Sequence, residues 1–169
     1  NFDAAADWEL LEREPHQGVQ QIIADLNRLY RNQPALHEID FDSSGFEWID
    51  CHDSSQSVLS YLRKTGDGEG IVTCAFNFTP VPRENYRIGV PLAGFYREAI
   101  NSDSTVYGGS NVGNQGGVHS EAVEWMGRPH SIPLALPPLG GVVMVLEPDV
   151  AIGETPAQLG AVDARTRAD

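Results

Sequence analysis

The chain has 169 residues, of which 41% are apolar and 21% are charged, which is typical of a globular protein with one core or one core and an appendage. Its 24 acidic and 11 basic residues give a formal net charge of −13. This charge disfavours binding to a nucleic-acid backbone or to an anionic membrane surface, because both require clustered lysine and arginine. A neutral ligand such as a sugar is indifferent to it.

The chain opens at Asn1 rather than at a methionine, and it shows neither a signal peptide nor an apolar run of the roughly 20 residues that a membrane helix needs. We therefore expect a piece of a longer, cytoplasmic protein. Two cysteines, Cys51 and Cys74, are too few for a disulfide scaffold. Cys74 alternates with apolar residues in the run GIVTCAFNF, which predicts a buried, reduced thiol.

The first predicted element is a helix over residues 16–33, after an acidic lead-in that carries Trp8. Pro34 ends this helix, because proline cannot donate the next backbone hydrogen bond. The apolar residues recur at spacings of three and four and form one stripe, which must be buried against another part of the protein. The members of the stripe are Val19, Ile22, Ile23, Leu26, Leu29 and Tyr30.

The pattern changes after Gly45 to short apolar or alternating runs separated by turn-forming residues. Such runs predict an antiparallel β-sandwich or barrel. Asp67 and Gly68 provide a hairpin turn, and Pro80 and Pro82 end one strand at a stiff, extended corner. Residues 101–117 form a glycine-rich loop and residues 149–169 a disordered tail. The seven runs are FEWID, SVLSYLRK, GIVTCAFNF, NYRIGV, GFYREAIN, HSIPLALP and GGVVMVLEP.

Motifs that resemble catalytic or metal sites fail at key positions. DFDSSG, residues 40–45, begins like a calcium loop, but Cys51 stands where a bidentate glutamate is needed, so a helix-to-strand turn is expected. GGSNVGNQGG, residues 108–117, has no phosphate-loop lysine, and Val112 stands where a nucleophile elbow needs glycine. It predicts a flexible or tightly turned surface loop. The five histidines show no metal-ligand spacing, so neither a metal nor a cofactor is expected.

The three tryptophans are candidates for stacking on sugar rings. Trp48 alternates with Phe46 on a strand and is predicted to lie in the core. Trp8 and Trp125 are the candidate substrate-binding residues. Packing in the core or at an edge is the competing interpretation for each of them.

Three long segments carry a family resemblance: NFTPVPRENYRIGVP, GFYREAINSDSTVYGGSNVGN and GRPHSIPLALPPLGGVVMVL. Together with DWELLE and the helix region, they resemble the C-terminal part of bacterial 1,4-α-glucan (glycogen) branching enzymes, members of the α-amylase superfamily. The likeness runs from about Asp7 to Leu146. Such enzymes cut an α-1,4-glucan chain and rejoin it through an α-1,6 bond, in glycogen biosynthesis.

The resemblance implies a division of the chain. Residues 1–44 would be the end of the catalytic (β/α)8 barrel, with residues 16–33 as its last helix, and residues 45–148 an all-β sandwich. The rest of the barrel, with the nucleophile and the acid/base carboxylate of a retaining mechanism, would lie upstream. No catalytic residue is therefore expected in this chain, which would be structural, inactive alone and packed on the missing barrel.

Two other interpretations stay open. One is a free-standing glucan-binding β-sandwich module, and the other is the C-terminal domain of a related debranching or trehalose-forming enzyme. The corner at Arg83, Glu84 and Tyr86 is expected to fix the path between strands, with a brace against the barrel as the competing interpretation.

Overall fold

A computed structural model of the chain describes residues 7–147. The predicted tail, residues 149–169, and the start of the acidic lead-in lie outside the described residues. A short 3-10 helix, Trp8–Glu12, leads into the long helix α1, Glu14–Asn32. Helix α1 begins two residues before the predicted position because Pro15 fits the first turn, where its missing N–H is not needed. It ends before Pro34, as predicted, and a 3-10 turn, Pro34–Leu36, follows.

The rest of the described chain is mainly β-strands joined by loops and short 3-10 turns, and every strand pair is antiparallel. A six-stranded sheet has the order β1-β2-β3-β8-β5-β6, and β4 pairs with β7 in a second, two-stranded sheet. The mainly β, antiparallel prediction is confirmed. The strands are β1 Phe46–Asp50, β2 Val58–Lys64, β3 Ile71–Asn77, β4 Arg83–Val90, β5 Phe95–Asn101, β6 Gly117–His119, β7 His130–Leu136 and β8 Gly140–Glu147.

All seven predicted runs became strands, and only β6 was missed, because its three residues lie at the end of the glycine-rich loop. The hairpin turn between β2 and β3 is present: Thr65 N–H donates to Gly70 O over 3.0 Å, and Gly68 has a φ of +76°. The predicted turn before β1 is also present. There Asp42 accepts a 2.7 Å hydrogen bond from the Ser44 N–H, at the start of the 3-10 turn Ser43–Gly45.

The main core lies between the two sheets and draws on strands from both. Its fully buried members include Leu62, Ile88, Tyr96, Leu134 and Met144. A second cluster, on the other face of the large sheet, joins Val72, Cys74 and Val145 to the residues after α1. Strand β3 is therefore buried on both faces, which explains why its run is continuously apolar.

Cys74 is a buried free thiol, as predicted. Its burial raises the thiol pKa to about 11, because the charged thiolate loses solvation inside the protein. The thiol therefore stays protonated at neutral pH.

Helix α1 lies against the glycine-rich loop, and its stripe is divided between two faces. Ile22 and Leu29 are half-buried towards the large sheet, whereas Val19 and Ile23 are exposed by 62% and 53%. The stripe is therefore only partly covered in this chain, and its burial against another part of the protein stays a prediction. A helix of 3.6 residues per turn spreads six apolar positions over a wide arc, and the sheet covers only part of that arc.

The corner between β3 and β4 is held by one buried amide. The side-chain nitrogen of Asn77 donates to Val81 O at 2.8 Å and Pro137 O at 3.0 Å, and its oxygen accepts from the Thr79 backbone and hydroxyl. Pro80 and Pro82 lie between the strands, outside both ladders, as predicted.

Candidate functional site

The outer side of α1 is apolar and exposed. We call Val19, Ile23, Leu26 and Tyr30, which are 38–62% exposed, the outer helix face. Trp8 is 74% exposed and lines a shallow depression beside this face, together with Leu11 and His16. Four exposed apolar side chains in one row are typical of a surface that contacts another part of a protein.

A cavity of about 640 Å³ separates α1 from the large sheet. We call it the apolar groove. Its lining is almost entirely apolar and continues from Leu26 and Tyr30 of the outer helix face to Phe76, Leu139 and Val143 at the sheet. A cavity with so few polar groups suits apolar side chains better than a polar ligand.

Helix α1 is attached beside this groove by a close contact. Gly18 is buried, and a side chain there would collide with the backbone of Tyr107. The Tyr107 hydroxyl donates a 3.0 Å hydrogen bond to Asp25 on the helix. Burial, together with the Asp25 carboxylate, raises the pKa of Tyr107 to about 12. Hydrogen bonds from Gln21 and Tyr107 lower the pKa of Asp25.

A line of aromatic rings crosses the outer face of the large sheet from β1 to just beyond β3. Ring centroids lie 4.9 Å apart between Phe46 and Trp48, 6.1 Å between Tyr61 and Phe76, and 6.5 Å between Phe76 and Phe78. Trp48 is 47% exposed, so its predicted place in the core is wrong. On β1 the neighbouring Ile49 is the core residue, because alternate residues of a strand point to opposite faces.

Trp125 lies at a separate cleft of about 610 Å³, which we call the polar cleft. It is 45% exposed. The cleft also contains the corner that follows Pro82 and the loop before β2. Its lining residues are Asp53, Gln56, Pro82, Arg83, Glu84, Asn85, Tyr86, Arg87, Trp125 and Met126. Trp8 lines a different depression, so the fold does not bring the two candidate tryptophans together.

The far wall of the polar cleft is held by hydrogen bonds. Tyr86 donates to Asp53 over 2.8 Å, and Asp53 also accepts from the Ser55 hydroxyl and the Gln56 N–H. These hydrogen bonds lower the pKa of Asp53, and the bond from Ser55 has the largest effect. Burial and the neighbouring Asp53 raise the pKa of Tyr86. At neutral pH the pair is therefore a phenol donating to a carboxylate.

Sequence reasoning missed Arg128, which connects the Trp125 turn to β1. It pairs with Glu47 and donates to Trp48 O over 2.9 Å, and its side chain is only 9% exposed. The one local signal was Gly127, because glycine readily adopts the positive φ that a two-residue hairpin turn requires. The partners on β1 lie some 80 positions away, so no local pattern predicts them.

Residues 7–147 contain no candidate metal centre and no candidate membrane helix. That part of the chain has no cluster of three or more histidine, cysteine, aspartate or glutamate residues arranged to hold a metal ion. None of the helices described there is long and apolar enough to cross a membrane.

The two-sheet domain matches a known family. The model of the alpha amylase C-terminal all-beta domain matches residues 48–147. The chain belongs to this family. The matched region runs from β1 to the end of β8, so it includes both sheets and the polar cleft.

Curated relatives extend the likeness to α1. The chain is 55% identical over 144 residues to the 1,4-alpha-glucan branching enzyme GlgB of Methylobacillus flagellatus, covering 85% of this chain and 20% of that protein. It is 57% identical over 148 residues to the enzyme of the same name from Nitrosococcus oceani, covering 87% of this chain and 19% of that one. The resemblance noted from the motifs is thereby confirmed. The chain spans about a fifth of the length of these relatives.

Proposed function

We propose that this chain is the C-terminal part of a 1,4-α-glucan branching enzyme acting in glycogen biosynthesis. The observation that carries the proposal is the identity of more than half the residues to branching enzymes over more than four-fifths of the chain. The whole protein would cleave an α-1,4-glucan and transfer the fragment to form an α-1,6 branch, with retention through a covalent glycosyl intermediate. Its carboxylates would lie outside this chain, in a cytoplasmic enzyme.

The test is an assay of the full-length protein that contains this chain. Incubation with amylose should lower the iodine-stained absorbance without releasing reducing ends in proportion, since branching transfers a chain instead of hydrolysing it. Digestion of the product with a debranching enzyme should then release short linear chains. The 169-residue chain alone should show no turnover. Hydrolysis only, debranching or trehalose formation by the full-length protein would contradict the proposal.

We infer that residues 1–44 end the catalytic barrel and that residues 45–148 form the domain that packs on it. Two features support this division: the outer helix face is exposed although apolar, and the apolar groove continues from it. Exposing such surfaces to water costs a free energy of about 25 cal/mol per Å² of apolar area. The barrel of the same polypeptide is the occupant we propose for both surfaces, with Trp8 at their edge in reach of glucan.

A free-standing glucan-binding module is the second candidate, and the aromatic rings exposed on the large sheet favour it. Trp48 and Phe78 are 47% and 63% exposed. A module would bind malto-oligosaccharide as the 169-residue chain, and the protein containing it would have no branching activity. Titration of maltoheptaose against the chain, combined with the amylose assay on the full-length protein, separates the two candidates.

A further inference from the structure

We propose that the polar cleft beside Trp125 is a binding site for a segment of neutral α-glucan chain. This inference rests on the proposed function for the identity of the polymer. The cleft volume, about 610 Å³, lies within the ~300–1,000 Å³ range usual for small-ligand sites. Trp125 supplies a half-exposed indole at the cleft, and sugar rings stack on flat aromatic surfaces of this kind.

The ring of Trp125 sits on a rigid support. Trp125 and Arg128 exchange two backbone hydrogen bonds of 3.0 Å, and Met126 and Gly127 have φ values of 50° and 72°, as in a tight two-residue hairpin turn. The turn lies so close to β4 that a side chain on Gly89 would collide with the Trp125 backbone. A ring carried on a backbone that is already fixed requires less ordering when a ligand binds.

The lining of the polar cleft also includes polar side chains that protein contacts leave free. Glu84 and Asn85 are exposed, and within residues 7–147 neither side chain makes a hydrogen bond. Asn85 is held in the left-handed region, at a φ of 55°, where β4 departs from regular pairing with β7. These are the donors and acceptors that sugar hydroxyls require.

The charges of the cleft select a neutral ligand. The lining contains two cations, Arg83 and Arg87, and two carboxylates, Asp53 and Glu84, so its formal charges cancel. Arg87 is paired with Glu121 at 2.7 Å. An anionic ligand would meet two carboxylates, and the molecule as a whole carries a net charge of −13. An apolar partner suits the apolar groove instead, since the cleft offers mostly polar side chains.

The experiment measures retardation of the full-length protein in native gels cast with increasing glycogen, with maltoheptaose as the competitor. Trp125→Ala should raise the apparent Kd for glycogen about tenfold, the effect of losing one stacked ring worth about 1.4 kcal/mol. Trp125→Tyr should restore most of the affinity. Asn85→Gly, which keeps the left-handed backbone, should weaken binding a few-fold. Phe41→Ala is the matched control, because it removes a fully exposed aromatic ring that does not line the cleft.

High salt should leave the apparent Kd of the wild-type protein unchanged, because the ligand is neutral. Unchanged retardation of both Trp125→Ala and Asn85→Gly overturns the proposal, as does wild-type protein that glycogen does not retard. If Trp125→Ala fails to fold, the apparent Kd values of Asn85→Gly and Glu84→Ala for glycogen test the proposal instead. A brace against the barrel would instead lower the melting temperature of these variants without changing the Kd. Branching by the wild-type protein is assayed separately on amylose, so failure of the cleft and failure of the proposed function are distinguishable.

Discussion

Arg128 is a single residue that holds two distant parts of the domain together. Its guanidinium pairs with Glu47 and donates to Trp48 O on β1 and to Met126 O in its own turn. Lys64 pairs with the same glutamate over 2.8 Å, but its side chain is 29% exposed against 9% for Arg128. A buried guanidinium that satisfies carbonyl oxygens contributes more than an exposed ammonium, because the carbonyls would otherwise lose their partners.

We therefore expect Arg128→Met to lower the free energy of unfolding by about 1–3 kcal/mol, since two part-buried carbonyl oxygens lose a charged donor. Lys64→Met is the matched control, and it should cost less than about 1 kcal/mol. Urea unfolding followed by tryptophan fluorescence measures both. Equal effects of the two substitutions would contradict the role that we assign to the carbonyl contacts. Retention of the Arg128→Met effect in a Glu47→Gln background would show that the effect does not depend on the ion pair.

Helix α1 has an inner side that is attached to the rest of the domain and an outer side that is apolar and exposed. Its inner side, with Gly18 and Asp25, is joined to Tyr107. Its outer side meets only the short 3-10 helix before it and, through Tyr30, the turn that follows the helix, so most of it stays exposed. The intrinsic stability of one helix in water is marginal, so the helix depends on what covers its faces. Its two sides should accordingly respond differently to polar substitution.

Ile23→Glu tests the outer helix face. In the 169-residue chain we expect little change in melting temperature and less aggregation, because the side chain is already 53% exposed. In the full-length protein the same change should destabilise by about 2–4 kcal/mol, since a charge would be buried against the barrel. Differential scanning calorimetry and light scattering of both proteins provide the measurement. The exposed substitution Gln20→Glu controls for charge alone, and a harmless Ile23→Glu in the full-length protein would argue against docking on this face.

For the whole molecule, the paired carboxylates decide how stability depends on pH. Hydrogen bonds, the one from Ser55 first, lower the pKa of Asp53. Burial only partly offsets the hydrogen bonds from Ser110 and Val112 that lower the pKa of Asp103. When the folded pKa lies below the unfolded value, the unfolded state binds more protons at acidic pH. The stabilisation is therefore fully present above the unfolded pKa of about 3.9 and is lost as the pH falls through the lower, folded value.

We expect the free energy of unfolding to decline steeply below about pH 4, with a shallower decline for Asp103→Asn. Asn does not titrate, but its NH2 group replaces one acceptor oxygen and loses the hydrogen bonds made there. The comparison is therefore of the slopes with pH and not of the absolute stabilities. Urea titrations at a series of pH values measure both curves. An Asp103→Asn curve parallel to that of the wild-type chain below pH 4 would show that this carboxylate is not one of the groups responsible.

The order of elements could be predicted from the sequence alone, because periodicity and turn residues act locally. The helix, its end before Pro34, the seven strand runs and the proline corner all follow from such local rules. The family likeness could also be inferred from the sequence, because the long motifs are recognisable in the order of the residues alone. The three-residue strand β6 could not be predicted in this way, because it is stabilised by pairing with β5 and not by the strand preference of its own residues.

Only the tertiary structure decided which faces are covered and which residues share a cleft. Alternation along β1 left open whether Trp48 or Ile49 points inward, and the second sheet settled it by covering Ile49. Arg128 reaches β1, and the Trp125 turn meets the corner after Pro82, only because β4 and β7 pair across a separation of forty or more residues. Such contacts form when residues far apart in the chain are brought together. Hydrophobic periodicity and turn residues act locally, so they do not predict which distant residues meet.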